Sequence, residues 1–179
     1  MSLNIVYFDL ETQRTANDAG GWDRKRDMGM SLGVTYSTAL AEYRIYSEAR
    51  IDALIQQLLR ADLVVGFNLI HFDYEVLMGY TILDLPHQLR TLDLLVEIEK
   101  RTGNKPKLEN LAQTTLGLRK TADGVDALKW WRERRILEIA EYCCFDVKVT
   151  KLVHEYALVN RELFYTDKFN RRQRVEVSW

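Results

Sequence analysis

Asn4 to Thr12 reads NIVYFDLET, and this stretch decides the fold. From Asn4 to Leu10 the side chains alternate, with Ile5, Tyr7 and Asp9 on one side and Val6, Phe8 and Leu10 on the other. A β-branched and aromatic run of this kind fills a central strand. Asp9 ends that buried strand, and Glu11, two residues on, shares its face. An acid closing an apolar run is expensive to leave uncompensated, so a cationic partner is expected beside it.

Two later stretches have the same build: VVGFNLIHFD, ending at Asp73, and EYCCFDV, which holds Tyr142 and Asp146. Tyr142 and Asp146 lie four apart in a helical pattern, so they share a face. Asp73 follows the GFN turn by a short step. That puts it at the C-terminal edge of the sheet beside Asp9 if the two strands are neighbours, and open α/β sheets place their sites at this edge. Oxygen-only ligation by Asp9, Glu11, Asp73 and Asp146 selects Mg²⁺ or Mn²⁺ over zinc. Two such ions form a clamp for phosphodiester displacement. Each pair alone is a weak signal, and their joint occurrence in this order is the strong one.

Outward from these blocks, Leu32 to Thr38 and Glu42 to Tyr46 predict two more strands, a three-stranded meander with the first. Ile51, Leu54, Ile55, Leu58 and Leu59 repeat at helical spacing, and Leu63 to Phe67 is a fourth strand ending at Asn68. His71 to Met78 reads as a short helix. Arg90 to Leu95 reads as a fifth strand leading into a polar stretch from Glu97 to Lys105. Leu108 to Leu116 is a helix stopped by Gly117, and Trp130 to Val159 is one long helix or two in succession. Arg171 to Trp179 ends in a strand, VEVSW, that an edge between subunits could pair. The order implies an α/β fold, a mixed five-stranded sheet flanked by helices.

The chain has 179 residues, a length that fits a single domain over 1–179. It is 47% apolar and 28% charged with a net charge of -1, the composition of a globular protein rather than a disordered or membrane-spanning one. Cys143 and Cys144 are adjacent, which suits neither a disulfide framework nor a zinc site, and a reducing, cytoplasmic location is expected. The N-terminus runs straight into a strand pattern with no secretory leader. Basic residues gather at Lys100 to Lys107, at Arg119 and Lys120, at Trp130 to Arg135 and at Lys168 to Arg174, where the ordinary reading is a solvated helix face or tail. Trp130 and Trp131 beside arginines suit base stacking, though core packing of at least one is the stronger expectation. His71, His87 and His154 are scattered and read as surface or turn histidines. Asp93 reads as structural or solvated rather than part of the site.

FDLET, GFNLIHFD and YCCFD resemble the three motifs of the DEDD 3′-to-5′ exonucleases. The subgroup with tyrosine, DEDDy, fits best. The other subgroup has histidine five residues before the last aspartate, and Glu141 stands there instead. The wording is most similar to the proofreading domains of family-B DNA polymerases and their stand-alone relatives. The resemblance covers about 4–163, implies the ribonuclease H-like fold, and leaves 164–179 as a C-terminal extension.

The resemblance also implies roles. Asp9 would bridge two divalent ions, Glu11 and Asp146 would complete the site of the ion that activates water, and Asp73 would hold the second. Tyr142 would orient the water, and Leu10 and the residues around Thr12 would meet the terminal nucleotide. Asn68, in the turn between the strand and Asp73, either fixes the loop through its side-chain amide or contacts substrate. The implied substrate is DNA or RNA with a free 3′ end, single-stranded or frayed, and a proofreading role would need a separate polymerase, helicase or repair partner. Two alternatives stand beside this reading: a catalytically silent nucleic-acid-binding scaffold of the same fold, and an endonuclease of ribonuclease H type.

Overall fold

The computed structural model describes residues 3–119 and 124–179. Lys120, counted above with Arg119 among the basic patches, lies outside the described residues. Strand β1 (Ile5–Thr12) sits at the centre of a five-stranded sheet, pairing antiparallel with β2 (Met30–Ser37) and parallel with β4 (Leu63–Gly66). Strand β3 (Glu42–Ser47) extends the antiparallel side and β5 (Thr91–Asp93) the parallel side, giving the order β3-β2-β1-β4-β5. The expected mixed sheet and its three-stranded meander are therefore present.

Eight helices flank the sheet among the described residues: α1 (Ala16–Ala19), α2 (Ile51–Leu59), α3 (Tyr74–Leu77), α4 (Leu85–Gln88), α5 (Leu94–Thr102), α6 (Leu108–Leu116), α7 (Gly124–Arg132) and α8 (Ile136–Asn160). The alternation in β1 divides the core between two faces. Val6, Phe8 and Leu10 pack with Leu54, Ile55 and Leu58 of α2, whereas Tyr7 packs with Ile139, Val147 and Val153 of α8. Full burial of an aliphatic side chain of this kind contributes about 1.5–3 kcal/mol. No helix among the described residues is long and apolar enough to cross a membrane.

Several elements differ from expectation. β1 runs on to Thr12, so Asp9 lies inside the strand rather than at its end. The expected fifth strand stops at Asp93, whose carboxylate accepts hydrogen bonds from the N–H groups of Leu95 (3.1 Å) and Val96 (3.4 Å) and starts α5 where a polar stretch was expected. The Trp130 to Val159 pattern resolves into two helices, broken at Arg134, which adopts a left-handed φ of 58°. α7 begins earlier, at Gly124.

The C-terminal strand is β7 (Arg172–Glu176), and it pairs on one edge with β6 (Glu162–Thr166) of the same chain. Leu163, Tyr165, Val175 and Val177 face the core, which fixes the hairpin's inner side. Asn110 and Thr115 of α6 bind its backbone in both directions, through Thr166 (2.7 Å each way) and Phe164 (2.8 and 2.9 Å). His154 is not on the surface. It is 2% exposed and shares a hydrogen bond of 2.9 Å between Nδ1 and the Tyr7 hydroxyl.

Candidate metal centre

β1 and β4 stay paired only from Ile5 with Leu63 to Tyr7 with Val65. Beyond that point β4 turns away at Asn68, which adopts a left-handed φ of 66°. The turn is buckled to the neighbouring strand, because Asp93 accepts from the backbone N–H of Asn68 (2.8 Å) and of Ile70 (3.0 Å). Asp93 is 2% exposed, so its role is structural and not solvated. A crevice therefore opens beside the C-terminal half of β1, at the place where chain connections leave to opposite sides of the sheet.

Three of the expected acids meet in this crevice. Asp9 and Glu11 project from the same face of β1, Asp146 comes from α8, and one carboxylate oxygen from each lies within 4.8 Å of the others. Asp73 stands next to this trio. It ends a wide helical turn, Leu69–Asp73, and its Oδ1 accepts the backbone N–H of Leu10 at 3.0 Å, a donor that β4 no longer pairs. Burial first, and then the charge of Asp9, hold the Asp73 carboxyl well above the ordinary carboxylate range, against the opposing Leu10 N–H. Divalent cations fit this donor set, which is all oxygen and concentrated in one crevice.

Tyr142 lies one helical turn before Asp146 and is 8% exposed. Its ring packs edge-on against Trp130, centroids 6.1 Å apart. Among the described residues, the cleft of about 610 Å³ at the acids is lined by Asp9, Glu11, Asp73 and Asp146 but not by Tyr142. Leu10, Thr12 and Asn68 do line it. Leu10 is 3% exposed and belongs to the core, and Thr12 directs its hydroxyl to the carbonyl of Arg14 at 3.0 Å. Asn68 holds the loop through its backbone N–H to Asp93 and is one of the residues lining the cleft.

Two residues escaped the sequence reading. Cys143, expected as an apolar filler, is fully buried and points its thiol at the Asp9 carboxylate, Sγ to Oδ2 3.2 Å. Burial and the charges of Asp9 and Glu11 push that thiol well up, so it remains protonated and donates. Its place between Tyr142 and Asp146 on the inward face was the one available signal. Trp22 lines the cleft while 65% exposed. Only its position after the Gly20-Gly21 pair, in a charged stretch, marked it.

A family model described as RNase H superfamily matches residues 6–158. The chain belongs to the RNase H superfamily. None of the curated proteins compared with it matches. Membership carries a nuclease-type fold and a nucleic-acid substrate class, and RNase H-like nucleases use divalent metals, in keeping with the acidic trio in this member's crevice.

Proposed function

We propose that this chain is a DEDDy-type 3′-to-5′ exonuclease that hydrolyses nucleotides from a free 3′ end. The observation that carries the reading is the meeting of Asp9, Glu11 and Asp146 within 4.8 Å, with Asp73 buried alongside at the end of the same strand pair. Asp9, Glu11 and Asp146 would hold one ion, and Asp9 with Asp73 a second. Bound Mg²⁺ or Mn²⁺ supplies positive charge against the phosphodiester and the leaving 3′ oxygen. By the resemblance Tyr142 would orient the attacking water, although in this structure its ring packs on Trp130 and it is not among the described residues that line the cleft. Trp22, Phe67 and Phe72 line the cleft and offer apolar faces to a terminal base. A base that enters such a cleft has first left its pair, which favours single strands and frayed ends.

The test uses matched DNA and RNA oligonucleotides labelled at the 5′ or the 3′ end, incubated with Mg²⁺, Mn²⁺ or EDTA. A 3′ exonuclease frees the 3′ label as a mononucleotide at once and shortens the 5′-labelled strand step by step, only with metal. Cleavage of a circular single strand would replace the reading with an endonuclease. Binding without shortening under every condition would replace it with a silent scaffold.

A further inference from the structure

The cleft at the acids continues past them. Lys105, Pro106 and Lys107 form part of its wall and also part of the wall of a second groove, of about 900 Å³, between α6 and the turn of the β6–β7 hairpin. Two basic patches 63 residues apart in the chain, around Lys105 and around Lys168, thus face one groove whose Lys105–Lys107 wall also borders the cleft at the acids.

The groove is built rather than incidental. Asn104 donates to the Tyr165 hydroxyl at 3.0 Å, tying the Lys105–Lys107 segment to the hairpin. The hairpin turn is organised by one carboxylate: Asp167 accepts from the backbone N–H of Phe169 (2.9 Å) and Arg171 (3.0 Å), from the Arg171 side chain (3.0 Å) and from Gln173 (2.9 Å). These donors, the Arg171 N–H first, lower its pKa to about 2. The turn presents Phe169 to solvent at 65% exposure, with the Lys168 ammonium 5.1 Å and the Arg171 guanidinium 4.9 Å from its ring centre.

Of the lining cations, Arg171 pairs with Asp167 and Lys105 with Glu99. Among the described residues, Lys107 and Lys168 have no carboxylate within 4.0 Å. An exposed aromatic ring flanked by cations, on a rigid turn beside a basic groove, is the arrangement that holds single-stranded nucleic acid: the ring stacks an unpaired base and the cations follow the backbone.

We propose that this groove binds the single strand upstream of the terminal nucleotide, with phosphates against Lys105, Lys107 and Lys168 and a base stacked on Phe169. The direction of the strand rests on the exonuclease reading above, whereas the binding itself does not.

Fluorescence anisotropy of the full chain in EDTA tests the groove, with labelled single strands of about 16 and about four nucleotides, the longer one as both oligo-dT and oligo-rU. The wild-type chain binds the longer strands at least about tenfold more tightly than the shorter one, and Phe169→Ala removes most of that advantage. Lys168→Ala lowers the slope of log affinity against log salt by about 0.7, one phosphate contact. Lys107→Ala does the same from the opposite wall, which covers any local effect of a change in the turn. The dT and rU arms distinguish DNA from RNA as the strand held.

Equal affinity for long and short strands, or Phe169→Ala binding like wild type, would overturn the groove even if the chain digests oligonucleotides. Binding through Phe169 with no shortening in Mg²⁺ or Mn²⁺ upholds the groove and refutes the nuclease. Equal competition by a duplex would overturn the assignment to single strands.

Discussion

At the scale of single residues, Asp9 joins more of the site than any other side chain. It lies within ligand distance of Glu11 and Asp146, its charge raises Asp73, and it receives the Cys143 thiol. Asp9→Asn is expected to lower metal-dependent cleavage about a thousandfold, roughly 4 kcal/mol of barrier, with a native circular dichroism spectrum. Turnover near the wild-type rate would remove Asp9 from the chemistry. Cys143 acts through Asp9, since its thiol fixes one carboxylate oxygen. Losing an outer partner of this kind typically costs 10–100-fold in metal affinity, so Cys143→Ala should weaken Mn²⁺ binding about tenfold, and Cys143→Ser, which keeps a donor in place, should retain it. Equal Mn²⁺ affinity in Cys143→Ala and wild type would leave the thiol as filler. The pairing of Asp9 with Glu11 was legible in the sequence because the strand period is a local rule, whereas helical spacing put Tyr142 beside Asp146 without revealing that its ring packs on Trp130. The Cys143 contact and the backbone bond of Asp73 to Leu10 were not. Both depend on where α8 and the turn after β4 come to rest against β1, which no local spacing encodes.

At the scale of elements, two devices hold the acid-bearing segments together. The Tyr7–His154 hydrogen bond clamps β1 to α8 two residues before Asp9 and eight after Asp146. Burial lowers the pKa of His154 from 6.5 to about 4, so the folded chain keeps it neutral where the unfolded chain protonates it. Protons are then bound preferentially by the unfolded state, and stability falls as pH drops from about 6.5 to about 4, by roughly 3 kcal/mol for this group. Above pH 6.5 the effect vanishes. Urea titrations at pH 7.5 and 4.5 should show a smaller acid-induced loss in His154→Gln than in wild type, and parallel losses would acquit His154. The second device is the close fit of Leu69 over Gly66. A Cβ at position 66 would meet the Leu69 side chain at 2.4–2.6 Å, so Gly66→Ala should destabilise by about 1–3 kcal/mol and disturb the turn that carries Asn68 and Asp73. An unchanged urea midpoint would show that Leu69 moves aside freely. The sheet strands were readable from alternation and their turns. α5 was hidden because LDLLV has the composition of a strand, and only the capping role of Asp93 makes it helical. β6 was hidden because Arg161, in a left-handed conformation usual for glycine, ends α8 without a glycine or proline to mark the place.

At the scale of the whole molecule, the acids are drawn from β1, the turn after β4 and α8, which are far apart in the chain and adjacent only in the folded state. The proposed cation site would therefore not exist in the unfolded chain, and binding there would be coupled to folding. A ligand that binds only the native state stabilises it by about 2.7 kcal/mol when present at a hundred times its dissociation constant. For a chain of 179 residues this corresponds to a rise in Tm of about 5–10 °C. Melts followed by circular dichroism should thus move upward with Mn²⁺ or Mg²⁺ and return with excess EDTA. In Asp9→Asn the shift should largely disappear, because the residue proposed to be shared between two ions loses its charge. Na⁺ at matched ionic strength should reproduce little of the shift, since screening of surface charge is common to all salts whereas inner coordination is not. A melt that responds identically to Na⁺ and Mn²⁺ would mean that the carboxylates converge for some purpose other than holding divalent metal, and the proposed chemistry would lose its foundation.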